Sequence, residues 1–357
     1  MIVNIFLTVI AVVALVGNLL VVMLLLKKRD WLKKVHSCLL LALAVQDVLT
    51  AIGILVLPGF VQSSNIYRVP QSTILGRWYC SVIWSRYIPF ALAITSIYTC
   101  LMLAFDRWFA VFRPVSYKRF SASVRAIVIM VTLPWIAGFG FEINTALNVN
   151  HLAQSNANAN GTYICRWNKF DTTTSGGIIA VVTFTGMIVL PAILMIFVYS
   201  KIILRRKEQV IRIIPRLVDL RRNDSIVVEN DRESASTAGQ DETNSNSTTG
   251  LSRYLQSSSN TSLKRLTRIA CAASAIVIVC WLPDQFYFFL FQLGLVDLRN
   301  KLHDGLIILA FLNTCLNPAI YCFSNKQYAG EFETLLCCVY YQERRESVRQ
   351  RAQSERT

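Results

Sequence analysis

An acid and a base stand side by side at the end of a long apolar stretch, in the triplet Asp106-Arg107-Trp108. The stretch begins at Cys80 and runs to Val111, and residues 88–105 carry no charge. A charged side chain costs about 2.5 to 3.5 kcal/mol at the centre of a bilayer and less near the interface. We therefore expect Asp106 and Arg107 to be paired and functional. The alternative is that Arg107 only anchors a helix end at the membrane surface.

Polar residues also occur in the middle of several apolar stretches. Inside a bilayer such groups must find partners within the protein, because the lipid offers none. A carboxylate together with hydroxyl and amide oxygens could hold a sodium ion, and the alternative is a hydrogen-bonded network filled with water. The candidate residues are Asn18, Asp47, Ser96, Asn313 and Asn317. We expect no other metal and no organic cofactor.

Other kinds of chemistry lack the residues that they need. The three histidines, His36, His151 and His303, are scattered, no metal-ligand spacing occurs, and there is no nucleophile elbow. An ion-coupled transporter or pump is the competing class of membrane protein. It should have inverted halves or a chain of acids along a path, and we find neither between Asp47 and Asp106. The sequence argues against both classes.

The composition is that of an integral membrane protein. Of the 357 residues, 54% are hydrophobic and only 16% are charged, which is too apolar for a soluble globule. The net charge of +15 could suggest a nucleic-acid binder. The basic residues, however, lie between the apolar stretches, as membrane topology requires, so no nucleic acid is expected as a partner.

The apolar stretches predict an all-α membrane protein, a bundle of seven transmembrane helices followed by a short amphipathic eighth helix. A span needs about 20 apolar residues to cross the hydrocarbon core. The predicted spans are residues 1–26, 35–61, 77–111, 124–148, 176–204, 263–292 and 302–323, and the eighth helix is 325–338. The other segments are a polar outer loop at 149–175, a disordered inner loop at 205–262 and a charged tail at 339–357.

The distribution of Lys and Arg predicts the orientation. Most of the 36 basic residues lie in the loops after spans one, three and five, at the adjoining helix ends and in the tail. Those on the other side are Arg68, Arg77, Arg86, Arg166, Lys169, Arg299 and Lys301. Basic loops stay in the cytoplasm, so the N-terminus is predicted to be extracellular and the C-terminus cytoplasmic.

This orientation assigns the cysteines and the modification sites. Of the ten cysteines, Cys80 and Cys165 are the two in a clearly oxidising position, and we predict a disulfide between them. Asn160 begins an Asn-Gly-Thr acceptor for glycosylation in the outer loop. Cys337 and Cys338 follow the amphipathic segment and suit palmitoylation, with plain buried thiols as the alternative.

Taken together, the motifs resemble those of the rhodopsin-like family of G protein-coupled receptors, over nearly the whole chain. One such motif would be weak evidence, but all of them occur in order and on the expected sides. They are Gly17-Asn18, Leu43-Ala44 with Asp47, Cys80 with Asp106-Arg107-Trp108, Trp135, Pro191 with Tyr199, Cys280-Trp281-Leu282-Pro283 and Asn317-Pro318-Ala319-Ile320-Tyr321.

The resemblance implies a receptor that binds an extracellular ligand and activates heterotrimeric G proteins by opening a cytoplasmic cleft. It also implies the same sodium cluster, and arrestin and receptor kinases as regulators. Pro191, Trp281 and Pro283 would form the hinge, because proline removes a helical hydrogen bond and kinks the span. On activation Arg107 would leave Asp106. The other members of the switch would be Tyr199, Asn317, Pro318 and Tyr321. The basic cytoplasmic face suits anionic membrane lipids.

The ligand pocket is predicted near the outer ends of the spans. Asp284, Gln285 and Phe288 follow Trp281 at helical spacing. Asp284 is a candidate partner for a positive group on the ligand, unless it pairs with Arg86 instead. The remaining candidates are Glu142, Tyr87, Phe90 and Phe311. The open polar outer loop, the aromatic run Tyr287-Phe288-Phe289 and the Asp-Arg-Trp triplet look more like the neuropeptide branch of the family than the amine or lipid branches, which are the alternatives.

The third span departs from the family pattern. Between Cys80 and Arg107 there are two more residues than the family usually has, and Pro89 lies within the excess. We therefore predict a bulge or a wide turn near the outer end of this span.

Overall fold

The computed structural model describes residues 2–63, 66–153, 163–168, 174–205, 208, 246–298, 300–324 and 330. Its long helices follow the apolar stretches, because a helix satisfies its own backbone polar groups in lipid. They are α1 (Ile2–Lys27), α2 (Val35–Val56), α3 (Thr73–Trp78), α4 (Tyr87–Phe112), α5 (Pro114–Ser121), α6 (Val124–Leu147), α7 (residues 174–205), α8 (Asn246–Gln292) and α9 (Lys301–Ser324).

The fold is an all-α membrane bundle with seven spanning helices, as the sequence predicts. Within the described ranges, six helices are long and apolar enough to cross a membrane, namely α1, α2, α4, α6, α7 and the part of α8 from Ala270 to Gln292. The seventh span is α9, which packs against α1 and α8. At the centre lies α4, which contacts α2, α6 and α8. Apart from residue 330, the predicted eighth helix at 325–338 and the tail at 339–357 lie outside the described residues, as do Asn160, Cys337 and Cys338.

The second span is shorter than the predicted 35–61. The helix ends at Val56, just before Leu57 and Pro58, because a proline lacks the N–H that would continue it and disfavours a helical residue before itself. Gly59 then takes a left-handed conformation, with a φ of 86°. This turn places Phe60 over the bundle core, where it is buried.

The third span is not the single helix that was predicted over 77–111. Its outer part consists of α3 and a π-helical segment, Tyr79–Trp84, and the helical axis is interrupted before α4 begins at Tyr87. The break occurs at Arg86, the only residue other than glycine with a positive φ (63°) in the described part of the chain. The irregularity predicted from the two extra residues is thereby confirmed.

The sixth span begins earlier than the predicted 263. The helix α8 starts at Asn246, so residues 246–262 are helical, whereas they were predicted to belong to a disordered loop. No proline occurs from Asn246 to Leu282 that would stop such a helix. Pro283 lies inside α8, as Pro134 lies inside α6 and Pro318 inside α9.

The predicted polar outer loop contains a β-hairpin, which the sequence alone did not predict. Strands β1 (Val149–Ala153) and β2 (Tyr163–Trp167) pair antiparallel, with His151 opposite Cys165. Residues such as Val149, Ile164 and Trp167 favour strands. The predicted disulfide joins Cys165 to Cys80, with 5.4 Å between the two Cα atoms, and so fixes the hairpin to the π-helical segment of the third span.

The fifth span contains a second π-helical segment, Thr185–Val189, just before Pro191. The hydroxyl of Tyr98 on α4 donates a hydrogen bond of 2.6 Å to the carbonyl oxygen of Gly186 in this segment. A side chain at Gly186 would meet the ring of Phe141 on α6. The segment is therefore fixed by two neighbouring helices.

Candidate functional site

A cavity opens between the outer ends of the helices, beneath the hairpin. It lies among α4, α6, α8 and α9, and Trp167 of β2 forms part of its wall. The predicted pocket residues that line it are Phe90, Glu142, Asp284, Gln285 and Phe288. Two other predicted residues lie elsewhere. Tyr87 donates a hydrogen bond of 2.9 Å to the carbonyl oxygen of Phe139, and Phe311 packs deeper in the bundle.

The cavity contains more negative than positive side chains. Glu142 and Asp284 are both buried, and Arg86 is the guanidinium that lines the same space. Arg86 does not form an ion pair with Asp284 within 4.0 Å. Instead its Nη1 donates to the carbonyl oxygen of Gly59 at 3.3 Å, and its guanidinium lies 5.1 Å from the centre of the Phe60 ring. The left-handed backbone at Arg86 directs the side chain towards α2 and leaves a carboxylate oxygen of Asp284 unpaired among the described residues.

His303, in the first turn of α9, also lines the cavity. Its Nε2 lies 3.9 Å from Oδ1 of Asp284. Sequence reasoning missed this residue as a pocket member, because nothing in the spacing of the three histidines relates it to Asp284. Helical spacing from the predicted start of the seventh span indicates only that it is near the outer surface.

Below the cavity, aromatic side chains fill the bundle. Trp281 is fully buried and meets Phe311 edge to face, with 5.5 Å between ring centres. Phe90 lies 6.5 Å from Trp281 and 5.8 Å from Phe311, so it connects the cavity wall to this aromatic layer. Pro283 follows within the same turn of α8 as Trp281. The cavity residue Asp284 on α8 is thus directly adjacent to Pro283.

The mid-membrane polar residues come together only in part. Asn317 donates to Oδ2 of Asp47 at 2.7 Å, and the amide of Asn18 donates to the carbonyl oxygens of Ala14 and Thr314. The Ser96 hydroxyl points to Gln46, with 3.4 Å to its Oε1. Gln46, which sequence reasoning missed, also pairs with Thr99.

Several oxygens of this group are buried without a hydrogen-bond partner in the described ranges. They are Oδ1 of Asn18, Asp47, Asn313 and Asn317. A buried acceptor without a donor costs about 1 to 3 kcal/mol. Carboxylate and amide oxygens in this condition fit a sodium ion, whereas no group of three His, Cys, Asp or Glu side chains suited to another metal occurs within the described residues.

At the inner end, Asp106 and Arg107 form the predicted pair. Arg107 is only 2% exposed, and its Nε and Nη2 both donate to Oδ2 of Asp106, the former at 2.9 Å. Tyr117 on α5 completes the arrangement. Its hydroxyl accepts from Nη2 of Arg107 at 3.1 Å and donates to Oδ1 of Asp106 at 2.9 Å. His36 of α2 lies close by, with Nδ1 3.7 Å from Oδ2 of Asp106.

Tyr199 forms no hydrogen bond with Arg107 in this arrangement. Its hydroxyl lies 3.3 Å from Oγ of Ser274 on α8. The side chain of Tyr321 lies outside the described residues. The inner end therefore has Arg107 bound to Asp106 and Tyr117, with the hydroxyl of Tyr199 engaged by α8.

Replacing Tyr117 by phenylalanine is expected to weaken this pairing, because the ring and its packing on Phe109 remain while both hydrogen bonds are lost. A hydrogen bond to a charged group contributes about 1.5 to 3 kcal/mol, so ligand-free nucleotide exchange on a G protein should rise roughly tenfold. Tyr67→Phe, measured in the same assay, serves as the control. Tyr67 is on the outer side, where its hydroxyl donates to the carbonyl oxygen of Val56. Equal exchange from wild type and Tyr117→Phe would show that Tyr117 does not restrain Arg107.

Comparison with known proteins agrees with this geometry. The model of the family described as 7 transmembrane receptor (rhodopsin family) matches residues 17–321. The chain is 23% identical over 347 residues to mouse somatostatin receptor type 2, covering 93% of this chain and 76% of that one. It is 24% identical over 342 residues to the human histamine H2 receptor, covering 94% and 79%. Dopamine receptor 2 of Caenorhabditis elegans is 29% identical over 203 residues, which are 57% of this chain and 22% of that one.

Proposed function

Since the chain belongs to the rhodopsin family of seven-transmembrane receptors, a multi-pass plasma-membrane protein and not an enzyme, we propose that it binds a positively charged extracellular ligand and activates a G protein. The observation that carries the proposal is the charge of the outer cavity. Two buried carboxylates, Glu142 and Asp284, line it together with one guanidinium, that of Arg86. When both carboxylates are ionised, one negative charge is in excess, and a ligand with one cationic group would balance it.

A peptide is the ligand that we favour. Beside the small cavity lies a vestibule of about 1210 Å³, open towards the outer surface, which shares Arg86, Trp167 and His303 with the cavity. Its wall includes Arg68 and Asp304, so both signs of charge are present. A peptide could place one basic side chain in the cavity and its remaining residues in the vestibule. The similarity to a somatostatin receptor supports this assignment.

A small amine is the second candidate, supported by the similarity to receptors for histamine and dopamine. The cavity alone would accommodate the amine, and the vestibule would be its entrance. A lipid is the third and is disfavoured, because the cavity contains charged residues.

Activation would proceed through α8. A cation bound at Asp284 would lie about one turn from Trp281 and next to Pro283, and a proline inside a helix allows it to bend. An outward swing of the inner part of α8 would separate Ser274 from Tyr199 and open a cleft for the G protein, where Arg107 would leave Asp106. The other switch residues are Asn317, Pro318 and Tyr321, and Pro191 is the hinge of α7. The ligand needs only to bind the open state more tightly than the closed one.

The sodium cluster would restrain this motion from the middle of the bundle. Asp47 and Asn317 already connect α2 to α9, and Asn18 connects α1 to α9. A bound sodium ion would supply the charge that balances the Asp47 carboxylate. Asn313, and Ser96 after rotation of its hydroxyl away from Gln46, would provide further oxygens.

The remaining assignments concern the two membrane faces. The placement of Lys and Arg supports an extracellular N-terminus and a cytoplasmic C-terminus. In that orientation Asn160 would be glycosylated outside, and Cys337 and Cys338 would be palmitoylated inside. Serines and threonines of the inner loop would be phosphorylated by receptor kinases, and the added charge would recruit arrestin. The basic inner face would contact anionic lipid.

The test is a panel of short peptides, amines and lipids, somatostatin, histamine and dopamine among them, scored by G protein activation. For an active compound, Asp284→Ala should raise the half-maximal concentration roughly 30-fold or more, because removing one partner of a buried charge pair costs about 2 to 5 kcal/mol. Asp30→Asn removes an equal charge from an exposed site at the other end of the protein and should have no effect. Equal potency on wild type and Asp284→Ala would exclude this pocket.

A further inference from the structure

The tautomer of His303 is fixed by its surroundings. Its Nδ1 lies 3.0 Å from the carbonyl oxygen of Leu298. A carbonyl oxygen can only accept, so Nδ1 carries the proton and donates, and Nε2 of the neutral ring is left with a lone pair. The ring stacks on Tyr287, with 5.3 Å between the ring centres, and the Tyr287 hydroxyl is itself bound to the carbonyl oxygen of Asp297 at 2.8 Å. These contacts therefore fix both the position of the imidazole and which of its two nitrogens carries the proton.

The acceptor face of this ring points at a second acceptor. Nε2 of His303 lies 3.9 Å from Oδ1 of Asp284, which is too far for a hydrogen bond. Asp284 is 2% exposed, and its Oδ1 has no donor among the side and main chains that the structure describes. A buried carboxylate oxygen that has no donor and faces a second acceptor is unfavourable in the free protein. Both become satisfied when a group with two N–H bonds enters between them.

We propose that Asp284 Oδ1 and His303 Nε2 form a two-acceptor clamp for a nitrogen with at least two N–H donors, that is, a primary ammonium or a guanidinium. The inference rests on the proposed function and narrows its ligand class. A nitrogen about 2.9 Å from each acceptor fits between them, and two N–H bonds of one ammonium diverge enough to reach both. A trimethylammonium group has the same charge but no N–H, so it satisfies neither acceptor.

The clamp also makes recognition sensitive to extracellular acid. A proton on Nε2 turns His303 into the donor to Asp284 and cancels the excess negative charge of the cavity, so a proton competes with the ligand. The charged and titratable groups around the pair are Glu142 across the cavity on α6, Arg86 before α4, Tyr287 on α8 and Asp304 on α9. Protonation of Glu142 or Asp284 would weaken binding in the same direction, so the test must separate these groups from His303.

The experiment uses the purified full chain in nanodiscs with ¹³C at the histidine Cε1 positions. Three histidines give three resonances, and His303→Asn identifies one of them. The probes are Nα-acetylated lysine amide, called lysine amide below, and its Nε-trimethyl derivative, which have the same charge but differ in whether the charged nitrogen carries N–H donors. At about pH 8, where an ordinary histidine is neutral, lysine amide should shift the His303 resonance saturably, and the trimethyl probe should bind at least about tenfold more weakly.

Variants separate the clamp from simple charge attraction. The amide of His303→Asn can still donate to the Leu298 carbonyl oxygen but offers no acceptor at the Nε2 position, while Asp284→Asn removes the other acceptor and the charge. Both should lose the preference for lysine amide, measured by the rise in melting temperature. Between about pH 8 and pH 5, over which an ordinary histidine goes from neutral to charged, the affinity of wild type should fall several-fold further than that of His303→Asn.

Three results would overturn the clamp. They are equal shifts from both probes, no shift from lysine amide at tens of millimolar, and a pH dependence that is as strong in His303→Asn as in wild type. Ligand-free nucleotide exchange, which depends on Arg107 at the opposite end, is measured on the same preparations. Exchange that is intact with a failed clamp removes this inference alone, whereas a wild type that drives no exchange, with or without any compound of the panel, removes the proposed function.

Discussion

Replacement of Arg107 by alanine is expected to abolish G protein activation while the receptor still reaches the cell surface. The guanidinium is buried at the inner end of α4 and is held by Asp106 and Tyr117, so it is positioned at the floor of the cleft that α8 would open. A buried partner of this kind contributes about 2 to 5 kcal/mol to a complex, which predicts at least a 30-fold loss of exchange at equal receptor density. Nucleotide exchange on a reconstituted G protein, with and without an active ligand, measures it.

Arg113→Ala is the matched control for this experiment. Arg113 follows α4 six residues after Arg107 and is exposed, so its removal takes one positive charge from the same face without touching the Asp106 pair. Arg107→Lys keeps the charge but loses the forked geometry that binds one carboxylate oxygen through two nitrogens, and it should retain only part of the activity. Full exchange from Arg107→Ala would remove Arg107 from the coupling mechanism.

Loss of the Cys80–Cys165 disulfide is expected to have the largest effect on the outer side. The bond joins residues 85 apart in sequence and fixes β2 against the π-helical segment that precedes Arg86. Removing a native disulfide typically costs about 2 to 5 kcal/mol in small secreted domains. Trp167, which belongs to the cavity wall, lies two residues from Cys165 and would lose its fixed position. We expect a lower melting temperature and loss of ligand response.

The single variants Cys80→Ser and Cys165→Ser and the double variant should behave alike, because each removes the same bond. Cys271→Ser, at a partly buried free cysteine of α8, is the control and should melt close to wild type. Should the double variant retain wild-type melting and ligand response, the hairpin would be held by its other contacts, such as that between the rings of Trp84 and Trp167.

The course of the chain through the membrane could be predicted because the thickness of the bilayer sets the length of a span. The residues at which the spans begin and end could not be predicted in the same way. Pro58 ends α2 where hydropathy continues to Val61, and the helix before Pro283 extends back to Asn246 through polar residues. The two extra residues before Arg107 indicated an irregularity in the third span. Its position at Arg86 follows from tertiary contacts with Gly59 and Phe60, which no local pattern contains.

The candidate sites show the same division. The Asp106–Arg107 pair is local in sequence and was predicted. Tyr117 reaches it only because α5 turns back under α4, and no motif fixes a tyrosine there. The role of His303 depends on a carbonyl oxygen five residues earlier and on a ring from another helix. The roles of such residues can be recognised only from a three-dimensional structure, because they depend on contacts between different elements.

The π-helical segment Thr185–Val189 has a consequence for anyone who fits a compound into this receptor by transferring positions from a relative. A π turn inserts one extra residue, and one residue of α-helix corresponds to about 100° of rotation. Counting outward from Pro191 along an ideal helix therefore selects side chains that face lipid instead of the bundle. Alignments of α7 should therefore be made separately for the residues before and after Gly186. This position can be identified by the hydrogen bond from the Tyr98 hydroxyl to the carbonyl oxygen of Gly186.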